Sequence, residues 1–285
     1  RRIDIFEKEK WTDLILVFLA GCSSVFLLEL ILPIRDTIFT TLWDKNPTFF
    51  DMFFGVALLE EITKIIPVLI LLKRIDVINE PIDYIIYSSI SALGFVFIEN
   101  IYYIYIYSDA SSNIIAVRSF LPSIMHMVTT SILGYGIFLF IASKKYKYLF
   151  FSFLAACLIH TTYNLLGTEL SILILFFSAG YFSTITRGLL ELSPFYDIEK
   201  LKQVKGDYTY MFIVLAGVMI MDFIFELIYS GSYDFSQLFY LSIGGYYIFS
   251  SFMSGSFGSN SEKSKFRGVG LNKNQRNIIV NYYKK

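Results

Sequence analysis

The sequence predicts an all-α fold, a polytopic membrane helix bundle with about eight transmembrane helices. Hydrophobic residues make up 55% of the 285 residues and charged residues only 17%, whereas soluble globular domains are about 45–50% apolar and about 25% charged. Apolar segments of about 20 residues, the length that crosses a bilayer, also recur along the chain. The formal net charge is zero, so the composition points to a lipid bilayer and to no nucleic acid as a partner.

Eight segments are long and apolar enough to be predicted as spanning helices. They are Leu14–Leu32, Phe49–Leu72, Tyr84–Tyr107, Ser119–Ala142, Tyr148–Leu166, Leu170–Thr186, Tyr208–Tyr229 and Phe235–Met253. The charged connection Arg187–Asp207 is the longest, and we expect it to lie on the membrane surface.

Lysine and arginine residues concentrate on one side of this eight-span topology, in the N-terminus, in the even-numbered connections and in the tail. The positive-inside rule then predicts a multi-pass protein of the cell membrane with both termini in the cytoplasm. The predicted organisation is a cytoplasmic N-terminus (1–13), a transmembrane domain (14–253, with its motifs in 49–166) and a flexible basic tail (254–285).

Polar and ionisable side chains lie inside four consecutive predicted spans. Such a group costs about 2.5–3.5 kcal/mol to insert into a bilayer, so a functional role is the default interpretation. We predict that the following residues form one catalytic site: Glu60, Glu61, Lys64, Glu99, His126, His160 and Asn164. A rise of about 1.5 Å per residue places them in the middle and outer half of the membrane.

The second span carries two adjacent carboxylates, Glu60 and Glu61, followed by Lys64. On a helix Lys64 lies between the two glutamates, one turn further on. Two neighbouring carboxylates in a low dielectric rarely both stay ionised, which predicts one base and one hydrogen-bonding partner. Glu60 is nearer to Lys64 on the helical wheel, so we take it as the base.

Two ways of hydrolysing a peptide bond suit these residue types. In the first, a glutamate takes the proton of water, and the histidines together with Asn164, which shares a helix face with His160, hold the oxyanion. In the second, Glu99, His126 and His160 bind a zinc ion and leave its fourth position to water. The sequence leaves both open, so Zn²⁺ is a cofactor in one and no cofactor is needed in the other.

Four motifs occur in order along consecutive spans: Glu60-Glu61-x-x-Lys64, Gly94-Phe95-x-x-x-Glu99-Asn100, a lone His126, and His160-x-x-x-Asn164. In these motifs, over residues 60–164, the chain resembles the PrsW family of intramembrane proteases, which is distantly related to the CAAX prenyl endopeptidases. The CAAX enzymes typically show Glu-Glu-x-x-x-Arg and Phe-x-x-x-His. This chain instead has Lys64 at a shorter spacing and Glu99 where that histidine would stand. Both differences favour PrsW.

The resemblance implies cleavage of a membrane protein near the extracytoplasmic side. In the bacterial system the substrate is a single-span anti-sigma factor, so the resemblance implies a partner of that kind. A CAAX-type endopeptidase is less favoured, because its site would open to the cytoplasm. Two alternatives from other classes remain, a proton-coupled membrane transporter and a non-catalytic membrane scaffold.

Overall fold

The computed structural model describes residues 8–38, 48–72, 77–106, 112–166, 168–193, 195 and 271–283. Within these ranges the chain is helical apart from short turns and caps, and none of the described residues lies in a strand. The predicted all-α class is therefore confirmed.

The described helices are numbered here in chain order. They are α1 (Trp11–Ile38), α2 (Phe49–Met52), a π-helical turn (Phe53–Ala57), α3 (Leu58–Leu71), α4 (Pro81–Ile106), α5 (Ser112–Ser143), α6 (Tyr146–Leu165), α7 (Thr168–Leu192) and α8 (Lys273–Tyr283).

Five stretches within the described part of the chain are long and apolar enough to cross a membrane. They are Trp11–Ile38, Pro81–Ile106, Leu121–Ser143, Tyr146–Leu165 and Leu173–Leu192. The predicted second span, Phe49–Leu72, is also helical but consists of α2, the π-helical turn and α3. The predicted spans Tyr208–Tyr229 and Phe235–Met253 lie outside the described residues, so the count of eight remains a prediction.

The helix α7 extends further than the sequence predicted. Its last turns reach Leu192, whereas the surface connection was expected to begin at Arg187. Arg187 is instead buried, and its Nε and Nη2 donate to Glu191 Oε1 at 2.8 and 2.6 Å. This pairing of charges four residues apart lets both side chains stay within the helix, so the predicted boundary was wrong by about a turn and a half.

The helix that bears the paired carboxylates lies in the middle of the bundle. It packs against α1, α4, α5 and α6. The short helix α2, which precedes it in the chain, begins with a capping box. Thr48 Oγ1 accepts from the Asp51 amide, and Asp51 Oδ2 accepts from the Thr48 amide. The π-helical turn then leads directly into the first turn of α3, where Glu60 and Glu61 lie. Such turns are frequent at functional sites.

Two glycines let α1 and α4 approach each other closely. A Cβ atom added at Gly94 would collide with the backbone carbonyl of Phe18, and one added at Gly21 would collide with the carbonyl of Ser91. Small residues of this kind are typical of contacts between membrane helices. The close contact fixes α4, and therefore Glu99 on its next turn, against the bundle.

We expect Gly94→Ala to destabilise the protein by about 1–3 kcal/mol, because the added methyl group meets backbone that cannot move aside. Thermal unfolding in detergent measures the effect. Leu19→Phe, which enlarges an exposed side chain of α1, is the control and should leave the unfolding temperature almost unchanged. An unfolding temperature of Gly94→Ala equal to that of the wild type would contradict the close contact.

Part of the predicted flexible tail, residues 273–283, forms the helix α8, which packs on α5 and α7. Its Ile279 side chain is fully buried, and the ring of Tyr282 meets that of Phe138 edge-on at 5.4 Å. This helix therefore buries an apolar face against the bundle.

Candidate active site

Six of the seven predicted site residues meet in one buried cluster formed by four helices. The first turns of α3 supply Glu60, Glu61 and Lys64, and single side chains come from α4, α5 and α6, namely Glu99, His126 and His160. Residues that are up to about 100 positions apart are brought together because α4, α5 and α6 all pack against α3.

The Lys64 ammonium lies at the centre of the cluster. Its Nζ is 2.9 Å from Glu60 Oε2, 3.2 Å from Glu61 Oε1 and 2.6 Å from His126 Nδ1. The ring of Phe95 lies 4.6 Å from Nζ, which adds a cation–π contact. The side chain is fully buried, so its charge is balanced by these partners and not by water.

The Glu61 carboxylate accepts four hydrogen bonds from the groups around it. Oε1 faces Lys64, Thr129 Oγ1 at 3.0 Å and His160 Nδ1 at 3.1 Å, and Oε2 accepts from Thr130 Oγ1 at 2.8 Å. The residue is 0% exposed. Three of these donors meet Oε1 and one meets Oε2, and the full burial of the residue closes its carboxylate to bulk water.

Glu60 is placed differently from its neighbour. Its side chain is 10% exposed, with Lys64 on Oε2 and His160 Nε2 at 3.7 Å. It is therefore the carboxylate of this pair with room for a further hydrogen bond to water.

The hydrogen-bond partners of the two histidines assign their protons to different ring nitrogens. An ammonium is only a donor, so His126 Nδ1 must accept from Lys64, and His126 Nε2–H then faces Glu99 Oε2 at 3.1 Å. His160 has the opposite arrangement, because its Nδ1 faces a carboxylate and must donate to it. The lone pair of His160 is consequently on Nε2, directed towards Glu60.

Glu99 is the most exposed residue of the cluster, with 22% of its side chain exposed. The next residue, Asn100, donates from Nδ2 to Ser123 Oγ at 3.3 Å. Glu99, Asn100 and Ser123 therefore provide polar groups on the side of the cluster where His126 meets Glu99.

Asn164 is the predicted site residue that does not join the cluster. It is exposed, one turn beyond His160, and makes no hydrogen bond or ion pair with the residues that the structure describes. Its role as an oxyanion donor stays a prediction.

Thr129 and Thr130 were not assigned a role from the sequence. They follow His126 by three and four positions and therefore lie on the same face of α5. That spacing could have indicated that both threonines belong to the site. Threonine is also common in membrane helices as a simple hydrogen-bonding residue, so the spacing alone did not single them out.

Comparison with known proteins identifies the family to which the chain belongs. Residues 9–188 match the family described as "PrsW family intramembrane metalloprotease". The chain belongs to the PrsW family. It is also 33% identical over 161 residues to "Protease PrsW" of Geobacillus kaustophilus (strain HTA426), a match that covers 55% of this chain and 65% of the relative. The match thus spans a little under two thirds of that relative, and no solved structure matches the chain.

Membership of the PrsW family and the five apolar helices place the protein in a membrane. Every clustered residue lies within the matched range 9–188, so the match covers the whole cluster.

The PrsW family is described as one of metalloproteases, and three donors in this chain suit a metal ion. Glu60, His126 and His160 each offer one ligand atom, all within 4.8 Å of one another and all buried. Two imidazoles and a carboxylate form a set that zinc prefers. The set predicted from the sequence had the same two histidines but Glu99 in place of Glu60. The Lys64 ammonium contacts Glu60 and His126, so it would compete with a metal ion for two of the three donors.

Proposed function

We propose that this member of the PrsW family is an intramembrane endopeptidase in which Glu60 activates the water that hydrolyses a peptide bond. The observation that carries the proposal is the asymmetry of the glutamate pair. Glu61 is fully buried and accepts four hydrogen bonds, whereas Glu60 is partly accessible and faces His160 Nε2. A general base must reach the proton that it takes, and Glu60 meets that condition.

The proposed reaction uses the side chains in fixed roles. A water molecule held by Glu60 and His160 Nε2 attacks the scissile carbonyl carbon as one of its protons passes to Glu60. A C–O bond forms, and the carbonyl oxygen becomes an oxyanion that His126 Nε2–H and Asn164 are proposed to hold. The C–N bond then breaks, and the proton on Glu60 moves to the leaving nitrogen.

Lys64 serves this reaction without touching the substrate. Its ammonium lies 2.9 Å from Glu60 Oε2, so it stabilises the negative charge that Glu60 carries before it takes the proton. Burial strengthens this attraction, because little water is present to screen it.

As a second form of this site, we propose that Glu60, His126 and His160 would hold zinc, and in that form Glu60 and His126 would act as metal ligands in place of the base and oxyanion roles given above. When bound, zinc polarises a carbonyl oxygen and makes water a stronger acid. The donors are of the type found in catalytic zinc sites, which use three protein ligands and keep the remaining position open.

The proposed substrate is a membrane protein with a single span, of the anti-sigma-factor kind that the PrsW resemblance implies, cut in the outer half of the bilayer. Glu99 lies seven residues from the end of α4 and His160 five residues from the end of α6, which puts both about 8–11 Å from those helix ends. With both termini in the cytoplasm, as the distribution of positive charge predicts, those ends face outward.

Mapping of newly formed protein N-termini tests this function. Membranes from cells that express the wild-type chain are compared with membranes from cells that express His160→Ala or the surface variant Lys145→Ala. We expect new N-termini within or beside transmembrane segments for the wild type and Lys145→Ala, and their loss for His160→Ala. The same set of N-termini in all three samples would overturn the proposal.

The zinc content of the purified protein tests the donor set. We expect about one equivalent of zinc in the wild type, as in other sites with three protein ligands. His160→Ala and Glu60→Gln should lose it, whereas Glu99→Gln should retain it. Loss of zinc in Glu99→Gln would favour the set predicted from the sequence, which is Glu99, His126 and His160. Cleavage by a protein without zinc would show that the reaction needs no metal and depends on Glu60 as the base.

A further inference from the structure

Two adjacent threonines of α5 hold the two oxygens of one buried carboxylate. Thr129 Oγ1 donates to Glu61 Oε1 at 3.0 Å, and Thr130 Oγ1 donates to Glu61 Oε2 at 2.8 Å. Both threonines are 0% exposed. Consecutive helix residues point about 100° apart, so the hydroxyl groups approach the carboxylate from different sides and fix its plane.

The same carboxylate is also the partner of His160 Nδ1. With Oε2 held by Thr130, Oε1 is directed at His160 Nδ1 at 3.1 Å. An imidazole that donates from Nδ1 to a carboxylate has its lone pair on Nε2. That lone pair faces Glu60 Oε2 at 3.7 Å, where the proposed function places the water.

We propose that Thr129 and Thr130 are positioning residues, which fix the Glu61 carboxylate so that His160 keeps its proton on Nδ1 and presents Nε2 to the water beside Glu60. The role of His160 Nε2 in holding water rests on the proposed function. The hydrogen bonds that join the two threonines, Glu61 and His160 do not depend on a substrate. This positioning role also holds whether His160 Nε2 meets water or a metal ion, since a carboxylate on the other ring nitrogen orients a ligating histidine in the same way.

A purely structural role for the hydroxyl groups makes a different prediction. Threonine in a helix often bonds to a carbonyl of the preceding turn, and Thr129 Oγ1 does lie 3.2 Å from the His126 carbonyl. Thr130 Oγ1 has no such bond among the described contacts, and its hydrogen bond goes to Glu61 Oε2. If the hydroxyl groups only served packing, their removal would change stability and leave the proton of His160 in place.

The test is ¹⁵N NMR of protein labelled at histidine, stripped of metal with a chelator, in detergent at a pH where both imidazoles are neutral. The chain contains only two histidines, so each ring can be assigned by replacing the other. In the wild type we expect His160 to carry its proton on Nδ1 and His126 on Nε2.

Thr129→Val/Thr130→Val keeps the side-chain shape and removes both hydroxyl groups. We expect its His160 to become a mixture of the two tautomers, while His126, held by Lys64, stays unchanged and serves as an internal control. Thr129→Ser/Thr130→Ser keeps the hydroxyl groups and should restore the wild-type spectrum. Thr161→Val removes a buried hydroxyl group that makes no hydrogen bond with the described residues and should also leave the spectrum unchanged.

Two outcomes would overturn the inference. One is a wild-type His160 that carries its proton on Nε2, and the other is a valine variant in which His160 keeps Nδ1–H. If the double valine variant does not fold, Thr130→Val alone removes the described donor to Oε2 and gives the same readout.

Cleavage of the membrane protein identified by N-terminus mapping adds a second readout. Because loss of groups that orient a functional histidine typically costs about 10–100-fold in activity, we expect kcat of the valine variant to fall by about that factor with KM little changed. Failure of the proposed function would appear separately, as full cleavage by Glu60→Gln, and would leave the NMR result standing.

Discussion

Replacement of Glu60 by glutamine is expected to lower the rate of cleavage by about 10²–10⁴-fold, the usual contribution of a general base. Glutamine keeps the shape of the side chain and can still accept from Lys64, but it cannot take a proton from water. The partly exposed Glu60 is the carboxylate of the pair that has room for water. Cleavage by purified variants in lipid vesicles measures the loss.

Glu29→Gln is the matched control for Glu60→Gln. It also removes a carboxylate from a membrane helix, but Glu29 is exposed on α1, so we expect the cleavage rate to stay at the wild-type value. Equal rates for Glu60→Gln, Glu29→Gln and the wild type would show that Glu60 is not the base.

Replacement of Lys64 by methionine is expected to destabilise the protein by about 3–5 kcal/mol, the typical cost of removing one partner from a buried ion pair. Methionine fills a similar volume but leaves Glu60, Glu61 and His126 without the ammonium that all three contact. The midpoint of thermal unfolding in detergent measures the loss.

Two further variants make the Lys64 result specific. Lys145→Met removes an exposed lysine and should leave the unfolding midpoint unchanged. Lys64→Met/Glu61→Gln should recover part of the lost stability, because it removes one of the carboxylates that had lost its counter-charge. A double variant less stable than Lys64→Met would contradict the central role of this ion cluster.

Much of the fold could be predicted from the sequence, because a membrane helix must be long and apolar to satisfy its backbone in lipid. The predicted boundaries of α4 and α6 differ from the observed ones by no more than three residues. The end of α7 could not be predicted in this way. Arg187 and Glu191 look like loop residues by composition, and only their mutual hydrogen bonds make them compatible with a buried helix end.

The six residues of the cluster could be singled out from the sequence because an ionisable residue inside an apolar segment stands out. Their arrangement was less predictable, since it depends on how four helices are rotated and shifted relative to one another. Helical spacing correctly placed Lys64 between the two glutamates. It could not indicate that the ligand atoms of Glu60, His126 and His160 lie within 4.8 Å of one another, or that Asn164 is exposed and makes no described bond to the cluster.

Helical spacing also could not give the physical reason for choosing between the two glutamates. The helical wheel preferred Glu60 because of its proximity to Lys64, but the structure shows Lys64 in contact with both carboxylates. The difference between them comes from Thr129, Thr130 and His160, which surround Glu61 from other helices. Contacts of this long-range kind are not encoded in the spacing of any single helix.

The most direct test of the proposed protease is cleavage by the purified protein in lipid vesicles when both Glu60 and Glu61 are replaced by glutamine. The substrate is the membrane protein identified by N-terminus mapping, and the wild type and Glu29→Gln are assayed alongside. We expect the wild type and Glu29→Gln to produce the new N-terminus and the double variant, at equal amounts of folded protein, to produce none. Cleavage by the double variant at the wild-type rate would contradict the assignment of this cluster as the active site.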